Sequence, residues 1–247
     1  AATFTLSGWD GDSAGSVGGN SIAIIGDEIV ELDESFDINL PADGAGGTNL
    51  AGMAASITLT TPAAVEITND DSATITLRDK LTSNDASATV AEDGTTTVVE
   101  WNISDPIQLV AGTAAATFTH AGSGAFPATE ASTGSVGDND YDFTSIGVSL
   151  AGGIAAGQFD AASFTTVPDS TVEQDETLDI SGNTIPAELQ ALVTANDVSI
   201  VDDVTYTITN DDSATITLRD KTTGNATSAT VAEDGATTVV EWDISNP

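Results

Sequence analysis

The chain has 247 residues, of which 39 are acidic and 4 are basic, so its formal net charge at pH 7 is −35. This balance excludes nucleic acid as an expected partner, because phosphate binding needs clustered lysine and arginine, and no apolar run approaches the roughly 18 residues that membrane insertion requires. The acidity does not indicate disorder, because 40% of the residues are hydrophobic and only 17% are charged.

The first predicted elements alternate apolar and polar residues with a period of two, which is typical of half-buried strands. A strand is predicted over 72–77 (SATITL), where alanine, isoleucine and leucine alternate with threonine. A second strand is predicted over 97–104 (TVVEWNIS), where Val99, Trp101 and Ile103 share one face. Both segments are bounded by turns rich in Gly, Asp and Asn.

Farther along the chain, one helical turn is predicted over 186–193 (PAELQALV), with Pro186 at its start. The period of two returns over 203–211 (DVTYTITND), where Val204, Tyr206 and Ile208 alternate with threonines. Short alternating strands separated by turns are typical of a sandwich. We therefore predict an all-β protein made of tandem antiparallel β-sandwiches.

The chain contains a long internal repeat. Residues 67–106 and 208–247 differ at only 7 of 40 positions, at an offset of 141. A weaker match relates 27–38 to 169–180 at an offset of 142, so a single-residue gap reconciles the two offsets. Such a repeat predicts a modular array.

The repeat divides the chain into three parts. We predict that 1–71 is the C-terminal part of one unit, 72–212 a complete unit and 213–247 the N-terminal part of a further unit. A tandem array is the simplest interpretation, because a partial unit buries little core alone. The alternative is a self-assembling filament, in which strands of neighbouring chains complete the half-repeats.

Acidic residues recur beside the strands at matching positions of the repeat. Clustered carboxylates repel one another unless a cation lies between them. Ca²⁺ suits such clusters because it takes 6–8 oxygen ligands in irregular geometry, whereas Mg²⁺ demands an octahedron and zinc favours histidine or cysteine, the latter absent here. The pattern predicts calcium binding.

Four segments, in this order, resemble the Calx-β family of calcium-binding, immunoglobulin-like sandwich domains. They are VAEDG (90–94), DNDYDF (138–143), DSTVEQDET (169–177) and ITNDD (208–212). The resemblance implies that calcium ions lie at one end of the sandwich. It also implies these ligands in the complete unit: Glu92, Asp140, Asp169, Glu173, Glu176, Asp211 and Asp212. The matching residues elsewhere are Asp27, Glu31, Glu34, Asp70 and Asp71 in the first unit and Glu233 in the third.

The competing interpretation is an acidic surface that only keeps the protein soluble in salt. We assign Asp93 and Asp175 to that surface. A binding module that recognises a glycan or a surface through loops near Trp9 or His120 is a further alternative. His120 is the only histidine and lies outside any catalytic motif, so we do not expect an enzyme.

We therefore expect a calcium-binding structural repeat from a large extracellular or cell-surface protein, such as an adhesin, a surface layer or a matrix filament. Its expected partners are neighbouring repeats and identical chains. Asp211 and Asp212 run directly into the next predicted strand without a linker. An ion bound there would stiffen the junction between units.

Overall fold

The computed structural model describes residues 24–36, 64–131, 139–224, 228, 230, 233 and 237–245. Within these residues the chain forms thirteen strands and one short helix, which confirms the predicted all-β fold. The elements are, in chain order, β1 (Glu34–Phe36), β2 (Val65–Ile67), β3 (Ala73–Asp79), β4 (Ser87–Ala91), β5 (Thr96–Ile103), β6 (Thr117–Gly122), β7 (Tyr141–Ser145), β8 (Gly157–Thr166), β9 (Glu176–Thr184), α1 (Ala187–Ala195), β10 (Val198–Val201), β11 (Asp203–Thr209), β12 (Ile216–Asp220) and β13 (Val240–Ile244).

Nine of these strands build the sandwich. One sheet has the order β10-β3-β5-β8-β7, and the other has the order β4-β11-β9-β6. Most neighbours are antiparallel, as predicted, but β10 pairs with β3 and β11 pairs with β4 in parallel. The parallel pairs join strands distant in sequence, so local periodicity does not reveal them.

The core lies between the two sheets and is built from the apolar faces of the alternating strands. Trp101, Tyr206 and Phe164 are among its largest fully buried side chains. Trp101 meets Phe118 edge to face at 5.2 Å between ring centroids, and Phe164 meets Tyr206 at 4.8 Å. Such pairs contribute beyond their buried area, and they link the sheets at fixed positions.

Helix α1 begins directly after Pro186, as predicted, and packs beside the sandwich. Leu189 and Leu192 are its buried residues. It ends at Asn196, whose left-handed backbone and N–H bonds to Leu192 and Val193 close the last turn. No helix in the described residues is long and apolar enough to cross a membrane.

Strands β1 and β2 form an antiparallel pair outside the sandwich. The segment that precedes β1 contacts the sandwich through Val30. The Val30 N–H donates to the carbonyl of Pro106 at 2.9 Å, and the Gln108 N–H donates to the carbonyl of Val30 at 2.9 Å. The Val30 side chain is fully buried in the core. A residue of the predicted first unit therefore contributes to the core of the second.

Strands β12 and β13 form a second antiparallel pair that follows the sandwich. Leu218 lies opposite Trp242, as Leu77 lies opposite Trp101 in β3 and β5. The two strand pairs therefore have the same register at the repeat offset. The division into units at 71/72 and 212/213 stays a prediction.

Candidate functional site

Glu92 is a buried carboxylate at the end of strand β4. Its side chain is 2% exposed, and its Oε1 has no hydrogen-bond partner among the described residues. The buried Thr166 holds its turn in place: the Thr166 hydroxyl donates to the carbonyl of Ala91 at 3.0 Å and accepts from the Gly94 N–H at 3.1 Å. A buried, unpaired carboxylate is costly unless a cation or a proton compensates it.

Three predicted ligands converge at this position. Carboxylate oxygens of Glu92, Asp169 and Glu173 lie within 4.8 Å of one another. Oxygens on opposite sides of one Ca²⁺ are separated by about 4.8 Å, twice a bond of about 2.4 Å. The three carboxylates are therefore close enough together to contact one such ion, and they come from the β4–β5 turn and the loop before β9.

A second group lies next to the first. Carboxylate oxygens of Asp140, Glu173 and Glu176 also lie within 4.8 Å of one another. Glu173 belongs to both groups, so it could bridge two neighbouring cations. Five predicted ligands therefore come together at one end of the sandwich.

Electrostatic repulsion is strong in the first group, which consists of Glu92, Asp169 and Glu173. Burial, followed by the charges of Glu173, Asp169, Asp140 and Asp211, raises the pKa of Glu92 to about 7. Asp211, although exposed, therefore lies within electrostatic reach of the group. Without a cation, Glu92 relieves the repulsion by taking up a proton.

Asp140 is placed by backbone hydrogen bonds on both sides. Its N–H donates to the carbonyl of Thr129 at 2.9 Å, and its own carbonyl accepts from Val167 at 2.9 Å. Its Oδ2 accepts a short hydrogen bond from the Thr129 N–H. The residue is 1% exposed, so its carboxylate is held in a fixed position.

The Asn210 side chain organises the closing loop of the site. Its Nδ2 donates to the carbonyls of Glu173 (3.2 Å) and Asp212 (3.3 Å), and its Oδ1 accepts from the Asp212 N–H at 3.0 Å. Its N–H donates to Asp175 Oδ1 at 3.2 Å. Asp212 Oδ2 is buried and has no hydrogen-bond partner in the described chain. Hydrogen bonds of Asn210 therefore connect the loop that contains Glu173 to Asp212.

Sequence reasoning did not identify this role of Asp175, which we had assigned to the surface. The repeat contained a signal, because Asp33 and Asn69 stand at the matching positions of the first unit. The structure shows the same contact there, since the Asn69 N–H donates to Asp33 Oδ1 at 2.9 Å. Asp93, also assigned to the surface, is exposed and accepts from the Thr95 N–H at 2.9 Å. Hydrogen bonds with Thr95 lower the pKa of Asp93.

None of the five predicted ligands of the first unit is buried, whereas Glu92 and Asp140 are buried in the complete unit. Burial, then the charges of Glu34, Asp27 and Asp71, raises the pKa of Glu31. Burial, then the charges of Asp70, Asp27, Glu28 and Asp105, raises the pKa of Asp71. Asp105 belongs to the next unit, and the sequence did not identify it. In the described parts of the chain, both close groups of three carboxylates lie in the complete unit.

The remaining candidate residues have different surroundings. Glu233 is exposed, and Trp9 lies outside the described residues. His120 does not lie in a loop: it is half-buried on β6, with Nδ1 2.9 Å from the Tyr141 hydroxyl oxygen and its ring 4.1 Å from that of Phe143. Its Nε2 lies 3.5 Å from Glu130 Oε1. The His120 ring is thus held within the fold.

The donor set of the site fits a hard divalent cation. All of its charged groups are carboxylates, and they approach one another at one end of the sandwich. The unpaired Glu92 Oε1 provides an oxygen with no competing hydrogen bond among the described residues. A set of carboxylate ligands suits Ca²⁺, which accepts irregular coordination, better than Mg²⁺, which demands a near-ideal octahedron.

Comparisons with protein-family models and with curated proteins found no match. Among solved structures, the chain is similar to the apo-form Calx CBD1 domain, with 17% identity, a TM-score of 0.31, and coverage of 57% of this chain and 100% of that chain. It is also similar to CBD12 from CALX1.2, with 16% identity, a TM-score of 0.29, and coverage of 56% of this chain and 44% of that chain. The assignment to Calx-β stays a prediction from the sequence motifs.

Proposed function

We propose that the chain is a calcium-binding structural repeat of a large extracellular protein, such as an adhesin, a surface layer or a matrix filament. The observation that carries the calcium site is Glu92, whose buried Oε1 lacks a hydrogen-bond partner in the described chain. Its carboxylate lies within 4.8 Å of those of Asp169 and Glu173. A cation at this position would replace the proton that Glu92 otherwise requires.

The ligands would supply negative oxygens from separate parts of the chain, and the ion would supply the charge that holds them together. Glu92 and Asp169 would hold one ion, Asp140 and Glu176 a second, with Glu173 between them. Because the loop before β9 contributes to both groups, binding would fix this loop against the sandwich. Calcium at 100 times its Kd would stabilise the folded chain by about 2.7 kcal/mol per site.

The structural role is supported by the connection between units. Val30 is buried in the core of the sandwich and bonded to backbone on either side of Ile107. The acidic groups of Glu31 and Asp71 lie at this same connection, with Asp105 among the charges that act on Asp71. Neutralising their repulsion with calcium would stiffen a joint that has no flexible linker.

The proposal includes an extracellular location. Extracellular calcium modules bind with Kd values of about 10⁻⁴–10⁻³ M. Such sites would fill in millimolar calcium. The net charge of −35 would keep empty modules apart and would disfavour collapse of the array.

Calorimetric titration of the chain with CaCl₂ tests the proposal. We expect binding in the range of about 10⁻⁴–10⁻³ M, and at least a tenfold loss of affinity in Glu92→Gln. Asp85→Asn also removes one charge, and it lies in the exposed turn between β3 and β4, at the opposite end of β4 from Glu92. It is the matched control and should bind like the original chain. Absence of calcium binding, or equal binding by the original chain and Glu92→Gln, would overturn the proposed site.

A further inference from the structure

His120 connects the two sheets at one edge of the sandwich. It lies on β6, the edge strand of the four-stranded sheet, opposite the buried Ile180 of β9, so its ring faces inward. The ring meets Phe143 and Tyr141 of β7 at 4.1 and 5.5 Å between ring centroids. Strand β7 is the edge strand of the other sheet. The one imidazole of the chain therefore packs between two edge strands.

The Tyr141 hydroxyl determines the hydrogen bonding of this ring. Burial, followed by the charges of Glu130 and Asp140, raises the pKa of Tyr141 to about 12, so the hydroxyl keeps its proton at neutral pH. His120 Nδ1 lies 2.9 Å from the hydroxyl oxygen and accepts its hydrogen bond. The neutral ring then carries its own proton on Nε2, which lies 3.5 Å from Glu130 Oε1. His120 thus contacts one side chain through each ring nitrogen.

Those two side chains belong to the two segments that place Asp140. Glu130 and Tyr141 are paired in an isolated parallel bridge. Beside this bridge, the Ala131 N–H donates to the carbonyl of Tyr141 at 2.7 Å. The Asp140 N–H donates to the carbonyl of Thr129 at 2.9 Å, and the Thr129 N–H donates to Asp140 Oδ2. The position of the Asp140 carboxylate therefore depends on how the two segments lie against each other.

We propose that His120 is a positioning residue for the Asp140 carboxylate in the second group. Its ring contacts a side chain of each segment and so fixes the spacing between them. Because outer partners of a metal ligand set the position of that ligand, removing His120 weakens binding of the second cation and leaves the first in place. This inference rests on the proposed calcium sites, but it concerns only one of the two groups.

Amide exchange in the calcium-free chain, followed by nuclear magnetic resonance, tests the positioning without any ion. His120→Leu removes both polar contacts and keeps an apolar side chain at the same place. We expect the Asp140 and Ala131 amides to exchange about tenfold faster in this variant, because the bridge opens more often. Phe118→Leu is the control for a general loss of packing, since it truncates a buried ring on the same strand. It should leave the exchange of these two amides unchanged.

Calorimetric titration with CaCl₂ then compares His120→Leu, Asp140→Asn and the double variant. We expect the original chain and Phe118→Leu to bind two ions, and His120→Leu to bind the second about tenfold more weakly. If His120 acts through Asp140, His120→Leu should cause no further loss in the Asp140→Asn chain. Tyr141→Phe removes only the hydroxyl that bonds to His120, and it should weaken the second ion as well.

Three results would overturn this inference and leave the proposed calcium sites standing. They are unchanged exchange of the Asp140 amide in His120→Leu, unchanged affinity for the second ion in that variant, and an equal loss of affinity in Phe118→Leu. A further loss in the double variant would also overturn it, because His120 would then act on the fold in general. Absence of calcium binding in the original chain would instead overturn the proposed function.

Discussion

At the scale of single residues, Glu92 is a buried carboxylate whose charge no described hydrogen bond to Oε1 compensates. A buried carboxylate normally has hydrogen bonds to both oxygens, but its Oε1 has none in the described part of the chain. Four other carboxylates add repulsion to the cost of burial. The group therefore stores an unfavourable interaction that either a proton or a metal ion can relieve.

Replacing the Glu92 carboxylate by an amide should raise the stability of the calcium-free chain and lower its affinity for calcium. Glu92→Gln removes one charge from the group, so we expect the calcium-free chain at pH 8 to gain on the order of 1–3 kcal/mol in unfolding free energy. The same variant should lose most of its calcium response. Urea unfolding with and without chelator measures both effects, with the exposed Asp85→Asn unchanged as the control. A calcium-free Glu92→Gln less stable than the original chain would contradict this account.

The raised pKa of Glu92 predicts an unusual dependence of stability on pH. Its pKa is about 7 in the folded chain against an ordinary value of 4.5, so the folded state binds more protons between these pH values. The unfolding free energy of the calcium-free chain should therefore fall as pH rises from about 4.5 to 7, by up to about 3 kcal/mol. Urea unfolding across this range gives the slope.

Glu31 and Asp71 also have raised pKa values and act in the same direction, so the contribution of Glu92 is the difference between the original chain and Glu92→Gln. Saturating calcium should flatten the slope, because the ion displaces the proton. Identical pH profiles for the two chains would show that Glu92 does not titrate in this range.

At the scale of elements, the period of two identified the strands well because one face of each strand is buried. The predicted strand over 72–77 is observed as Ala73–Asp79, the one over 97–104 as Thr96–Ile103 and the one over 203–211 as Asp203–Thr209. Pro186 marked the start of the helix because proline fixes the backbone at a first helical turn.

The site was less predictable than the strands. The sequence identified the carboxylates through the repeat and the family resemblance. It could not reveal the contribution of Thr166, which lies 72 residues from Gly94 in the chain and bonds to its N–H. It also did not distinguish Asp175, which bonds to Asn210, from an ordinary surface charge. Long-range contacts decided both roles.

The two repeat tryptophans provide a matched test of element packing. Trp101 is fully buried and Trp242 is 67% exposed, although their local sequences are nearly identical. We expect Trp101→Ala to lower the unfolding free energy by about 3–5 kcal/mol, because it leaves a cavity between the sheets. Trp242→Ala in a dilute monomer should change it by less than about 0.5 kcal/mol. Similar losses for both variants, measured by urea unfolding, would contradict the different burial.

The turn after β3 has a strained backbone at Ser83, and the next copy of the repeat has glycine at the matching position. Ser83, in the turn after β3, has a φ of 57°, and the counterpart in the next unit is Gly224 with a φ of 68°. A left-handed backbone costs an L-residue roughly 1–2 kcal/mol relative to glycine. We expect Ser83→Gly to raise the thermal midpoint, with a gain of about 0.5–1 kcal/mol after the entropic cost of glycine. A lower midpoint would show that the Ser83 side chain contributes more than the strain costs.

At the scale of the whole molecule, the chain combines strong self-repulsion with interlocked units. Its net charge of −35 favours extended, separated modules. Val30, which the repeat assigns to the first predicted unit, is nevertheless buried in the core of the sandwich, so this connection does not depend on charge alone. Its repeat counterpart Val172 is 39% exposed, so the same position is available for a further contact. The proposed calcium sites would add stiffness where acidic groups meet.

The most direct test of the calcium-binding account is thermal unfolding of this chain in chelator, followed by titration with calcium to a few millimolar and a parallel titration with magnesium. We predict that calcium raises the melting temperature and that magnesium at the same ionic strength does not match it, because the carboxylate groups select an ion with flexible coordination. An equal response to calcium, magnesium and sodium would mean general screening of charge, and it would contradict a specific calcium site.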